Sequence, residues 1–243
     1  MSQTETDIQN MFDTIAPSYD FLNRLLSLRQ DVRWRRALAH QIPFRIGGTY
    51  VDVATGTGDV LVAAQNQHPE YASWVGVDIS DNMLTLAKKK LGETLHPSAA
   101  PTFIQASAEK LPFPNETVDC LSISFGLRNV IDKEKALQEF LRVLKPEGTL
   151  LILEFFTPTG VLSRFFEFYF HHILPRIGGL FSDAKAYQYL PTSVMSFYSH
   201  AALCGLLHTH HLPVITQKRF LFGGCRLLVS KKMAPSTSPL VVT

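Results

Sequence analysis

The chain has 243 residues, 46% of them hydrophobic, and its 23 Lys and Arg against 21 Asp and Glu leave a net charge of +2. That length fits one large domain able to bury a core of its own, and balanced charge with no basic block does not favour nucleic acid as a partner. Three cysteines, Cys120, Cys204 and Cys225, form no Cys-x-x-Cys pair; a disulfide framework and a structural metal site are therefore not expected, and the compartment reads as reducing and cytoplasmic.

In chain order, residues 1–10 are polar and do not form a secretory signal, and no later apolar run reaches the ~18 residues of a membrane span. Residues 7–40 are expected to be helical and carry Tyr19, Asp20 and the cluster Arg33-Trp34-Arg35-Arg36. The plain reading of that cluster is a solvated helical face with one packed Trp. From residue 49 a regular alternation begins. Strands are expected at residues 49–54, 73–78, 102–106, 118–124 and 149–155, with helices at 59–67, 81–91 and 133–144 between them. Strands alternating with helices predict an α/β fold, a mostly parallel Rossmann-like sheet with helices on both faces. Lys145-Pro146-Glu147-Gly148 reads as the turn between the last of these helices and the fifth strand.

Residues 157–191 break the rhythm and read as an insertion over the end of the sheet. It contains Phe165-Phe166-Glu167-Phe168-Tyr169-Phe170, apolar on two helical faces, which predicts a buried helix or a greasy channel touching the membrane surface. A helix over residues 192–206 and a closing pair of strands at 212–220 and 225–230 complete a single domain spanning residues 1–232, seven strands in all. Residues 233–243, rich in Pro and Ser, read as a disordered tail.

The strongest local signal is Asp52-Val53-Ala54-Thr55-Gly56-Thr57-Gly58-Asp59, at the end of the first strand. Ligands of open parallel sheets bind beyond the carboxyl ends of the strands, and Gly56 and Gly58 let backbone approach a ligand closely. A dinucleotide fingerprint would need a third glycine where Leu61 stands. It would also want a helix N-terminus free of the negative charge that Asp52 and Asp59 bring. That acidic setting suits the cationic S-adenosylmethionine better, with Asp52, Gly56, Thr57 and Gly58 against the cofactor. Asp78, 20 residues after Gly58 at the end of the second strand, can accept hydrogen bonds from both ribose hydroxyls. Small residues in Gln105-Ala106-Ser107-Ala108-Glu109 leave room for adenine, or form a plain surface turn.

Several segments together resemble the ubiquinone/menaquinone biosynthesis C-methyltransferases. Met11-Phe12-Asp13-x-Ile15-Ala16-Pro17-x-Tyr19-Asp20, Leu22-Asn23-x-Leu25-Leu26-Ser27 and Trp34-Arg35 are similar to the motif that opens members of that family. Phe125-Gly126-Leu127-Arg128-Asn129-Val130 is similar to its most distinctive motif; Arg142-Val143-Leu144-Lys145-Pro146-x-Gly148, Leu174-Pro175-Arg176-Ile177-Gly178-Gly179 and Tyr189-Leu190-Pro191-x-Ser193 also match. The closing segment, Phe222-Gly223-Gly224-Cys225-Arg226, departs from the pattern. The resemblance implies a class I methyltransferase with cofactor contacts at Thr57, Asp78, Ser107, Ala108 and Ser124. Its substrate would be a prenylated quinol, demethylmenaquinol or a 2-polyprenyl-6-methoxy-benzoquinol.

On that footing Arg128 and Asn129 are expected to stabilise a phenolate beside the sulfonium, and Tyr19 to close over the site. His171 or His172 is a weaker candidate for general base. A homodimer and peripheral contact with the inner face of the membrane stay open. So do three other functions: another small-molecule methyltransferase, a nicotinamide oxidoreductase, and a non-catalytic cofactor-binding subunit.

Overall fold

A computed structural model describes residues 4–92, 100–157, 168 and 184–233. Phe165, Phe166, Tyr169, Phe170, His171, His172 and the tail beyond residue 233 lie outside the described residues, and with them the expectations placed there.

Two helices come first, α1 (Glu5–Leu26) and α2 (Gln30–Ala39). Thr4 caps α1 in a reciprocal box: its hydroxyl accepts from the Asp7 N–H, and the Asp7 carboxylate accepts from the Thr4 N–H. Pro17 lies inside α1 and has no N–H for the carbonyl of Asp13. That carbonyl accepts instead from the Asn82 side chain at 3.4 Å, which ties α1 to the body of the molecule. A tight turn with Leu28 and Arg29 both at positive φ separates the two helices.

The alternating region follows: β1 (Thr49–Val53), α3 (Asp59–Gln65), β2 (Ser73–Asp78), α4 (Asp81–Gly92), β3 (Thr102–Gln105), β4 (Val118–Ser124), α5 (Lys133–Val143) and β5 (Leu144–Phe155). Then come α6 (Ala184–Met195), α7 (His200–Thr209), β6 (Val214–Phe220) and β7 (Cys225–Lys231). One sheet contains seven strands in the order β3-β2-β1-β4-β5-β7-β6, and β7 runs antiparallel to both its neighbours. The first five strands are parallel; helices α3, α4 and α5 make three of their four connections, a helix-free segment joins β3 to β4, and both sheet faces are covered. Period-two alternation divides the burial. Leu150 and Ile152 of β5 face α5 and α7, whereas Leu151 and Leu153 face the layer containing α2, α3 and α4.

Two expectations need correction. The turn at residues 145–148 is part of β5: Leu144 already pairs with Val118, and the register then shifts before Thr149 pairs with Cys120. The excursion between them is accommodated by Glu147 at φ 62°. The single helix expected at 192–206 is two. Helix α6 ends at Met195, and Ser199, in extended backbone, starts α7 by accepting from the Ala202 N–H.

Candidate active site

Strand order reverses between β1 and β4, where the crossovers leave in opposite directions and open a crevice at the strands' carboxyl ends. Two loops meet there. Ala54, after β1, and Phe125, after β4, both adopt left-handed backbone, at φ 51° and 57°. Such conformations in side-chain-bearing residues concentrate at functional sites. A methyl group on Gly126 would fall 2.5 Å from the Ala54 Cβ, so only glycine lets the loops come this close.

A cavity lies over this junction. Its floor includes Gly56, Asp78 and Ser124; Ser107 and Ala108 form one side and Asn129 another. Helix α1 forms the cover with Glu5, Ile8, Phe12 and Tyr19. These side chains follow the helical spacing of one face. Seven of the eleven sequence-derived site residues therefore meet in one cavity, and Asp52, Thr57, Gly58 and Arg128 do not line it.

Asp78 is buried; one oxygen accepts from the Gly56 N–H at 2.8 Å and the other from the Ser80 N–H at 3.0 Å. Burial raises its pKa, against the pull of the N–H groups of Ser80, Gly56 and Ile79. The Ser124 hydroxyl is buried with no hydrogen-bond partner among the described residues. Burial also raises the Tyr19 pKa, opposed by the charge of Arg35.

The remaining loop residues support the cavity from below. Asp52 is 1% exposed and accepts from Thr55 and Ser122, while Ser122 also bonds the Tyr50 hydroxyl. Burial pushes its pKa from 3.8 to about 7. Asp59 sits among three cations, Arg24, Arg35 and Lys90. Burial would raise its pKa, but the Arg35 and Lys90 charges and hydrogen bonds from Lys90 and Arg24 overcome this and hold it at about 2. Lys90 also reaches Asp20 and Thr57, and Arg24 and Arg35 both reach Asp31. Arg35 is thus buried in an ion network, so the solvated face expected at Arg33–Arg36 fails at Arg35, while Trp34 is packed as expected. Gly58, at φ 81°, is held against α4, where a methyl group would fall 2.5 Å from a Leu91 methyl.

This arrangement corrects the reason for expecting a cationic ligand. Asp52 and Asp59 do not face the cavity. Glu5 and Asp78 do, and no Lys or Arg lines it among the described residues. A pyrophosphate would find no cation there, whereas an ammonium or sulfonium meets two acids. Asp78 at the strand end, the small residues Ser107 and Ala108, and the unpartnered Ser124 hydroxyl fit S-adenosylmethionine.

Arg128 turns beneath the motif that contains it. One nitrogen donates to Glu154 at 2.7 Å and to the Phe125 carbonyl at 2.6 Å. Its guanidinium lies 5.8 Å from the Phe155 ring centre, and its Nε is buried without a partner among the described residues. Glu154 also accepts from the Arg128 N–H, so this buried pair holds the loop as well as the side chain. Asn129 donates to the Phe125 carbonyl and accepts from the Tyr189 hydroxyl at 3.2 Å.

The cover residues Glu5, Ile8 and Phe12 were not singled out from sequence, although Ile8, Phe12, Ile15 and Tyr19 recur at intervals of three and four. The ion network was not found either. Its members are spread from residue 20 to residue 90, with no local spacing to betray them.

Residues 1–232 match the profile of the ubiE/COQ5 methyltransferase family. The chain is 45% identical over 229 residues to the ubiquinone/menaquinone biosynthesis C-methyltransferase of Syntrophotalea carbinolica, covering 91% of this chain and 95% of that protein. It is 50% identical over 194 residues to the protein of the same name from Geotalea uraniireducens, covering 79% and 82%. Among solved structures, the [4+2]-cyclase SpnF aligns with a TM-score of 0.72 at 15% identity, over 97% of this chain and 98% of that one. An S-adenosylmethionine-dependent methyltransferase from Aquifex aeolicus aligns with 0.59 at 17%, over 82% and 89%. These two likenesses show the fold. The sequence match runs almost the full length of the chain and of its Syntrophotalea relative, and by it the chain belongs to the ubiE/COQ5 methyltransferase family of S-adenosylmethionine-dependent C-methyltransferases.

Proposed function

We propose that this enzyme methylates a ring carbon of a prenylated quinol in quinone synthesis, with demethylmenaquinol converted to menaquinol as the leading case. The observation that carries the reading is the cavity at the β1/β4 junction, with its acids and, among the described residues, an unpartnered Ser124 hydroxyl and no lining cation. The names of the relatives supply the substrate class.

S-adenosylmethionine supplies a methyl group on positively charged sulfur. Asp78 binds the ribose hydroxyls, Gly56 offers backbone, Ser107 and Ala108 border the adenine, and Ser124 donates or accepts one hydrogen bond. Thr57, Gly58 and Asp52 act by fixing the loop. The acceptor carbon must be electron-rich, which a quinol becomes when its neighbouring hydroxyl loses a proton. Arg128 and Asn129 favour that oxyanion, and Tyr19 with Phe12 keeps water from the reacting carbon. The ring proton displaced by the methyl group leaves to water and restores aromaticity. A prenyl tail partitions into lipid, so the enzyme works at the inner face of the membrane. Among the described residues no helix is long and apolar enough to cross it.

Calorimetry of S-adenosylmethionine binding to the wild type and to Asp78→Ala tests the site. Hydrogen bonds to a charged acceptor contribute about 1.5–3 kcal/mol, so the variant should bind roughly 10- to 150-fold more weakly. Mass spectrometry of short-tailed quinols incubated with enzyme and cofactor tests the reaction. A ring-methylated product is expected, and its absence with every quinol would overturn the substrate class.

A further inference from the structure

A second cavity opens beside the first. The two share Ile8, Asn129, Val130 and Ile131, so a ligand in one can touch a ligand in the other. Its own lining is different in kind. It brings together the cations Arg128 and Lys133, the Tyr189 hydroxyl, and Thr192, Ser193 and Ser196 from the end of α6 and the residue after it. The first cavity is lined by two acids, by apolar groups and by Tyr19, Ser107 and Ser124; this one adds two cations.

Lys133 is placed against its helix. It is the first residue of α5, where the macrodipole disfavours a cation, and Asp132 already caps that helix by accepting from the Lys135 N–H. Its ammonium turns back to donate to the Val130 carbonyl at 2.7 Å, on the wall common to both cavities. Half-burial pulls its pKa down, against the attraction of Glu154, Glu109 and Asp132. Across the cavity, the buried Arg128 Nε has no acceptor among the described residues. That nitrogen is closed off from the cavity, so a ligand oxygen would bond the Lys133 ammonium, which has donors beyond the one given to Val130.

Building on the quinol reading above, we propose that this second cavity seats the acceptor ring by its oxygens, with Lys133 supplying a positive charge that favours the ring's phenolate and Tyr189 holding Asn129 toward it. The phenolic O–H gives its proton to water at the open mouth of the cavity. Lys133 then selects for acceptors whose hydroxyl beside the reacting carbon is free to ionise, and a ring methylated on that oxygen is refused.

The test uses the full chain with S-adenosylhomocysteine bound, and measures binding of a short-tailed 1,4-naphthoquinol between about pH 6 and about pH 9, below the ordinary phenol pKa of ~10. Lys133→Met should weaken binding by about 10- to 100-fold, the loss of one charge-assisted contact, and move phenolate formation on the enzyme to higher pH. Lys133→Arg should restore most of the affinity. S-adenosylhomocysteine affinity should stay within about twofold of wild type in both variants, because Lys133 does not line the first cavity. Equal naphthoquinol binding and an unchanged pH profile in Lys133→Met would overturn the proposal. Wild-type turnover separates it from the quinol reading. If no quinol is methylated but Lys133→Met still loses phenol binding, the seat stands and the substrate class falls.

Discussion

At the scale of single residues, two buried aspartates at adjacent strand ends have different tasks. Asp78 faces the cavity and keeps an oxygen edge for a ligand, while Asp52 lies under the loop in a chain of hydroxyls running through Ser122 to Tyr50. Burial raises the Asp52 pKa from 3.8 to about 7, so in that interval the folded chain keeps a proton that the unfolded chain has released. Stability from this residue is therefore complete below pH 3.8 and is lost as pH rises to about 7. Asp52→Asn, which holds the shape without the charge, should remove that decline, as measured by urea unfolding at mildly acidic and mildly alkaline pH. Unchanged pH dependence in the variant would show that Asp52 titrates normally. Sequence reasoning placed both residues at strand ends, because a strand's limits are written in its apolar run. It could not tell which faced the ligand, since Asp52 reaches Ser122 across 70 residues of chain.

At the scale of elements, α1 is a cover held by charge. Its inner face closes the cavity with Ile8, Phe12 and Tyr19, while Ile15, Ala16 and Leu22 pack with Met83 and Val194 in a small core of their own. Near its end, Asp20 and Arg24 join the network of Asp31, Arg35, Asp59 and Lys90. Lys90 on α4 ties cover to loop by meeting Asp20, Thr57 and Asp59 at once. Lys90→Met should loosen α1 without emptying the main core. Faster amide exchange confined to α1 is expected, with cofactor binding weakened roughly 5- to 30-fold, the reach of 1–2 kcal/mol. Exchange that speeds up everywhere would mean that the network supports the whole fold. The helices themselves were legible through periodicity, and their coupling was not. The break between α6 and α7 was also missed: Ser199 is an ordinary N-cap, but it follows Phe197-Tyr198, which continues the apolar pattern across the gap.

At the scale of the molecule, the parallel sheet could be read from strand–helix alternation because strands buried on both faces leave unbroken apolar runs such as Leu150-Leu151-Ile152-Leu153. The loop after β1 was legible for another reason: glycine is favoured where the backbone turns left-handed, as at Gly56 and Gly58. A ligand bound at this junction contacts residues that follow β1, β2, β3 and β4, together with α1, and so should stabilise the fold as a whole. At 100 times its dissociation constant, S-adenosylhomocysteine should add about 2.7 kcal/mol, or roughly 5–10 °C in melting temperature by scanning calorimetry. Asp78→Ala at the same concentration should keep only about a tenth to a half of that shift; a full shift would place the cofactor elsewhere. The sheet order has a further consequence for how the protein is made. The last strand, β7, is inserted between β5 and β6. Until the ribosome has released those final residues, β5 has one flank unpaired and β6 has no neighbour in the sheet. A message cut short before Cys225 would thus yield a sticky, incomplete sheet rather than a weakly active enzyme, and the cell would meet it as a substrate for chaperones and proteases.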